Sequence, residues 1–250
     1  TDPGVAVLRI DGADDKPIAL LANFGTHPVF LDDDNREFSA DFVGYMLRTI
    51  ESSRGGVAMI ANGPLGDQNP DQDDRLPQGY PRAEAYGTRM AQEVVRIAGE
   101  AQMRRQVALA SVLGELKLPE PTVDIETRRV PIMAMRISDV LLLGVPGEAT
   151  AEVGLEIEAR ARQFAFDLPV VVGLANDEIA YILAREDYER GEYEAEMSFF
   201  GPTLGPVIVD GMTDLARRIQ PMAMAHTALP FASAARGTCC ASGPVAMGAR

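Results

Sequence analysis

The stretch Val140-Leu141-Leu142-Leu143-Gly144-Val145-Pro146-Gly147-Glu148-Ala149-Thr150 decides the fold of this chain. Its four leading apolar residues form an unbroken run, which predicts a strand buried on both faces. Gly144, Pro146 and Gly147 then predict a sharp, rigid turn that leaves one carboxylate, Glu148, at the end of the strand. A helix of mixed polar and apolar positions is expected from there to about residue 165. A second buried strand, residues 168–174, opens onto Asn176 and the tyrosines Tyr181, Tyr188 and Tyr193. Ligands of open α/β sheets sit outside the carboxyl ends of strands, so these two strand ends make a site candidate. The competing reading is a capped loop with packing tyrosines.

Toward the amino terminus, residues 5–10 and 17–24 read as two strands of a hairpin, with turn residues between them. The second strand runs into Gly25-Thr26-His27-Pro28, so His27 lies at a strand end, before a proline that keeps it extended. A lone histidine is either a hydrogen-bonded structural residue or a ligand. Asp32-Asp33-Asp34 lacks the spacing of a calcium loop and reads as a solvated acidic loop. A helix is expected over residues 39–51 with Ser39 as its cap. Residues 57–60 read as a short buried strand. It ends in the loop Asn62-Gly63-Pro64-Leu65-Gly66-Asp67-Gln68-Asn69-Pro70, whose small residues let backbone N–H groups approach a bound group. No Lys follows these glycines and acidic residues crowd them, which excludes a phosphate loop.

Residues 71–81 read as an exposed loop and 82–101 as a helix. Residues 107–118 alternate as a strand does, and residues 130–137 begin the strands leading to the central stretch, with Met133 and Met135 expected as core filler. A helix is expected over residues 204–219. The fold class that follows is α/β: a layered mixed β-sheet domain with flanking helices over residues 1–219. Residues 220–250 read as a disordered or atypical tail, in which His226 has no assigned role.

With 250 residues, 46% of them hydrophobic, the chain can bury one large core. A formal net charge of −14 argues against nucleic acid or an anionic membrane as partner, since both would be repelled. No apolar run is long enough to span a bilayer. Cys239 and Cys240 are adjacent and cannot build a disulfide framework.

The order of several short motifs resembles the neutral/alkaline, non-lysosomal ceramidases. The wording Val145-Pro146-Gly147-Glu148-Ala149-Thr150, then Gly173-Leu174-Ala175-Asn176, Tyr181, Glu186-Asp187-Tyr188-Glu189 and Tyr193-Glu194 is similar to that family's P-G-E-x-T turn and the tyrosine-bearing segment after it. Further matches are the opening hairpin from Asp2, Asn23-Phe24-Gly25-Thr26-His27-Pro28, the segment Ser39 to Tyr45, and Met197 to Pro202. The loop around Gly66 departs from the pattern. The family has G-D-x-S-P-N, with a serine assigned as nucleophile, and alignment on Gly66, Asp67 and Pro70 puts Asn69 at the serine. An amide cannot replace an activated hydroxyl as nucleophile, although it can donate a hydrogen bond to a developing oxyanion.

The resemblance implies a zinc amidohydrolase that cleaves ceramide or another N-acyl or ester substrate with metal-activated water. It puts His27, Glu148 and Tyr181 on zinc-ligand positions, a chemically sensible set for that metal. It puts Tyr193 on a tyrosine that contacts the substrate amide, with Gly66 beside the substrate, and it leaves Asp67 to orient or accept a proton. The family's first zinc histidine lies in an H-x-H-S-G segment upstream of everything matched, so the expectation is a fragment of a larger hydrolase. Family members are usually secreted, periplasmic or membrane-attached. The alternative reading is a non-catalytic domain that keeps the fold and binds with the same cleft; Asn69 and the missing histidine favour it.

Overall fold

The computed structural model describes residues 2–33, 35–220 and 236–238. Strands β1 (Gly4–Asp11) and β2 (Pro17–Phe24) form the expected hairpin, and α1 (Asp41–Arg54) then leads to β3 (Val57–Asn62), parallel to β2. Helix α2 (Tyr80–Glu100) is followed by β4 (Leu109–Lys117), β5 (Arg129–Ile137) and β6 (Val140–Gly144), a three-stranded antiparallel meander. After them come β7 (Glu148–Ala149), α3 (Ala151–Arg162), β8 (Leu168–Val172), β9 (Tyr181–Ile182), α4 (Arg185–Arg190), α5 (Tyr193–Glu196), α6 (Leu204–Ile219) and β10 (Arg236–Thr238). The two larger sheets have the orders β10-β1-β2-β3 and β4-β5-β6-β8; β7 and β9 form a third, two-stranded sheet.

Side-chain alternation explains the layering. Val5, Val7, Leu20, Ala22 and Phe24 point to one face of the first sheet and bury against Phe42, Met46 and Ile50 of α1 and Met90, Val94 and Ile97 of α2. Phe24, Phe30, Phe42 and Tyr86 meet there with ring centroids 5.0–6.1 Å apart, which adds to the area term. Gly87 lets the two helices touch: a Cβ there would lie 2.3 Å from the Phe42 carbonyl oxygen. On the second sheet, Leu141, Leu143 and Val171 bury against α3 and α6 through Val153, Ile157, Ile208 and Met212. The opposite faces meet in the middle, where Ala6 packs on Val140, Leu168 and Val170. The run Val140 to Leu143 is thus covered on both faces, and β6 pairs in parallel with β8 through the right-sized crossover of α3.

Asn23 joins the two sheets. Its buried Nδ2 lies 3.1, 3.1 and 2.9 Å from the Ala61, Asn62 and Val171 carbonyl oxygens, which share its two hydrogens, linking β2, β3 and β8. Gly173 N–H continues the seam to Asn62 O at 2.9 Å.

Three local expectations are corrected. Ser39 does not cap α1: its Oγ accepts from Asp41 N–H, and Asp41, at φ 49°, takes Phe42 N–H and Leu31 N–H on its two carboxylate oxygens. Strand β3 is not buried on both faces, because it is the outer strand of its sheet; Val57 is 57% and Met59 38% exposed. Met133 and Met135 are not core filler. They lie on the outer face of β5, Met133 half-buried and Met135 exposed, and Val130, Ile132 and Ala134 take the inner face. Within the segment read as a tail, Arg236–Thr238 pair antiparallel with β1. His226, Cys239 and Cys240 lie outside the described residues.

Candidate active site

Four backbone segments converge beyond the ends of β2, β3, β6 and β8. The first is the extension of β2 carrying His27. Its main-chain N–H donates to the Gln68 carbonyl oxygen at 2.8 Å, and its Nδ1 lies 3.1 Å from the same oxygen. A carbonyl only accepts, so the Nδ1 position carries the proton and Nε2 is turned to the far side of the ring. There it meets Glu148 Oε2 at 2.9 Å. The His27 and Glu148 side chains are 20% and 22% exposed, which leaves them reachable yet mostly desolvated.

Glu148 sits on β7, whose parallel partner β9 places Tyr181 directly beside it. The Tyr181 phenol donates to Glu148. Burial, and then the Glu148 charge, push its pKa up to about 12. Tyr193, at the start of α5, is 64% exposed, and its ring lies 6.0 Å from that of Tyr181 at 74°, an edge-to-face pair. His27, Glu148, Tyr181 and Tyr193 therefore form one continuous group.

The turn after β6 and the loop after β8 are laced together. Leu174, Ala175 and Ile179 donate to the carbonyls of Gly147, Val145 and Pro146, and Glu148 N–H donates back to Ala180 O at 3.0 Å. Leu174, Asn176 and Ala180 hold φ values of 52°, 77° and 66°, a left-handed region that side chains other than glycine adopt at a cost. This lacing holds β9, and with it Tyr181, against Glu148. Gly66 seals the other side: its N–H donates to Ala149 O at 2.9 Å, and a Cβ there would lie 2.6 Å from the Glu148 carbonyl oxygen.

The other residues singled out from the sequence lie on the neighbouring loop and helix. Asp67 Oδ1 accepts from Ala151 N–H at the start of α3, at 2.7 Å, and from Gln68 Nε2 at 3.0 Å. Asn69 is exposed on the same loop. Tyr188 sits in α4. Two participants escaped the sequence reading. Gln68 acts through its main-chain carbonyl, which leaves no side-chain signature. Glu178 is pushed above the usual carboxylate range, first by desolvation and also by the Glu148 charge, and is recognisable only once the loop after β8 folds over the turn. Among the described residues, no group of three or more His, Cys, Asp or Glu is arranged to hold a metal ion.

No protein-family model matches the chain. Among curated proteins, it is 29% identical over 154 residues to neutral ceramidase 2 of Arabidopsis thaliana, an alignment covering 53% of this chain and 20% of that protein. It is 37% identical over 78 residues to the neutral ceramidase of Pseudomonas aeruginosa, covering 29% of this chain and 12% of that one. The crystal structure of the Pseudomonas aeruginosa neutral ceramidase superposes with a TM-score of 0.77 and 19% identity, over 86% of this chain and 46% of the other. A ceramidase complexed with C2 gives 0.77 and 18% over 94% and 51%. The fold is therefore the mixed α/β fold of neutral ceramidase structures. The chain is neutral ceramidase-like in sequence and in fold, and it spans about half the length of the solved chains it matches.

Proposed function

We propose that this chain carries much of the active site of a zinc-dependent amide hydrolase of ceramidase type, acting on ceramide or another N-acyl substrate. The observation that carries the proposal is the pair of contacts on His27. With Nδ1 3.1 Å from Gln68 O, Nε2 faces a carboxylate oxygen 2.9 Å away. Two acceptors at that distance repel unless a proton or a cation lies between them. The Tyr181 phenol beside Glu148 adds a third donor of a type zinc accepts. His27, Glu148 and Tyr181 would hold the metal. When bound, zinc supplies Lewis acidity and activates water for attack at neutral pH.

The protein's own groups do the remaining work. Gln68 O fixes the imidazole tautomer, and Glu148 supplies the negative charge that favours a cation in the cleft. Tyr193, exposed at the rim, donates its O–H to the substrate amide oxygen. The Asn69 amide N–H takes up part of the developing oxyanion charge. Residues 1–219 form the hydrolase-like unit in this reading.

The test is zinc content and acyl-amide hydrolysis by the full-length protein. About one zinc per chain and fatty acid release from ceramide, both lost in His27→Ala, support the enzyme. Asn69 in place of a nucleophilic serine favours a second reading, a non-catalytic domain that binds lipid in the same cleft. Lipid binding without zinc or hydrolysis would establish it.

A further inference from the structure

Asp67 lies where two halves of the site are joined, and its contacts differ from those of a free proton acceptor. Oδ1 already receives two N–H donors, one from Ala151 and one from the Gln68 side chain. Ala151 opens α3, whose first N–H groups have no partner inside the helix. Thr150 stands at the N-cap position with extended backbone (φ −68°, ψ 160°), but its hydroxyl makes no capping bond and is buried without a partner. The carboxylate that caps α3 thus comes from a loop 84 residues away.

The same loop segment orients His27. Gln68, next to Asp67, offers the one carbonyl that accepts both His27 N–H and Nδ1–H, while Gly66, on the other side, is bonded to Ala149 under Glu148. Asp67 is the only side chain of these three that reaches the Glu148 strand-to-helix turn. We propose that Asp67 is a positioning residue: by capping α3 in trans, it pins the 65–68 loop to the turn carrying Glu148 and so sets the tautomer and direction of His27. This inference rests on the reading of His27 and Glu148 as metal-holding residues, but its geometry does not depend on the substrate.

Two substitutions separate positioning from proton transfer. Asp67→Asn keeps an acceptor oxygen in place and removes the base. Asp67→Glu keeps the base and carries its oxygens one methylene too far along to sit on both donors. The readout is the tautomer of His27 by nitrogen-resolved NMR on the full chain, which has only two histidines and can be assigned with a His226→Gln variant. A zinc titration and hydrolysis of a fluorogenic N-acyl amide by the full-length protein accompany it. Positioning predicts that Asn keeps the Nδ1–H signature and stays within about threefold in zinc affinity, whereas Glu scrambles the tautomer and loses roughly 10–100-fold. Retention of the signature in Glu together with a loss of hydrolysis confined to Asn would overturn it. If the wild-type protein hydrolyses nothing, the functional reading fails, and the NMR comparison still decides the role of Asp67.

Discussion

His27 Nε2 lies 2.9 Å from Glu148 Oε2, although 121 residues separate the two in the chain. One arrives at the end of β2 in the first sheet, the other on β7 beyond the end of β6 in the second, and the seam through Asn23 and Gly173 fixes the distance between them.

Glu148→Gln keeps the shape of the side chain but removes the charge opposite Nε2. Zinc affinity measured by calorimetry is expected to fall by more than roughly 100-fold, beyond the effect of removing an outer partner. An unchanged affinity would mean that zinc binds elsewhere.

Asn69→Ser restores a hydroxyl at the position where ceramidases have one. A gain in amide hydrolysis of about tenfold or more would show that the cleft is otherwise competent, since a positioned nucleophile or acid–base group contributes about 10²–10⁴-fold. No activity in either form, with lipid still bound, would favour the binding domain.

Asn23→Leu removes the amide that serves the Ala61, Asn62 and Val171 carbonyls. Asn62 O keeps the Gly173 N–H, while the Ala61 and Val171 carbonyls lose this donor; lost partners of buried acceptors cost about 1–3 kcal/mol each, so unfolding in urea should show a loss on the order of 3 kcal/mol. A loss below about 0.5 kcal/mol would show that the seam does not hold the sheets together.

Gly154→Ala sets two effects against each other. Alanine gains about 1 kcal/mol of helix propensity inside α3. Its Cβ would, however, stand 2.0 Å from Pro64 Cγ in the loop that carries Gly66 and Asp67. Overpacking of that kind costs about 1–3 kcal/mol, so net destabilisation is expected in a thermal melt, together with weaker zinc binding through the displaced loop. A rise in the melting temperature would contradict the close packing.

Asp167 is held above the usual carboxylate range by its hydrogen bond to Asp139, then by burial and the Asp139 charge, and Arg104 partly offsets this. A raised folded-state value means that the native chain keeps the proton longer than the unfolded one. The stabilisation from this pair is therefore complete below the unfolded value and lost as pH rises through the folded one. Asp167→Asn keeps a donor for Asp139 without the charge, so it should stabilise the chain at neutral pH and flatten the pH dependence of the melt on the mildly acidic side. An unchanged pH profile would show that the pair is uncoupled from folding.

Much of the fold was legible because periodicity reports burial directly. The run from Val140 to Leu143 announced a strand covered on both faces, alternation announced the strand β4, and α2 followed from helical spacing. The errors arose where burial depends on neighbours that periodicity does not name. Val57 and Met59 carry strand-forming side chains, yet β3 ended at a sheet edge. Met133 and Met135 are apolar, yet their face of β5 received no helix.

Sequence by itself determined the α/β class, through periodicity, and the ceramidase-like wording, whose short local motifs single out His27, Glu148, Tyr181 and Tyr193 as candidates by resemblance. Tertiary structure alone decided which of them touch. The His27–Glu148 contact, the Gln68 carbonyl behind the imidazole and the capping of α3 by Asp67 all join segments far apart in the chain. Such contacts depend on how two sheets dock and how backbone carbonyls are aimed, and neither leaves a periodic or compositional trace in the residues that make them.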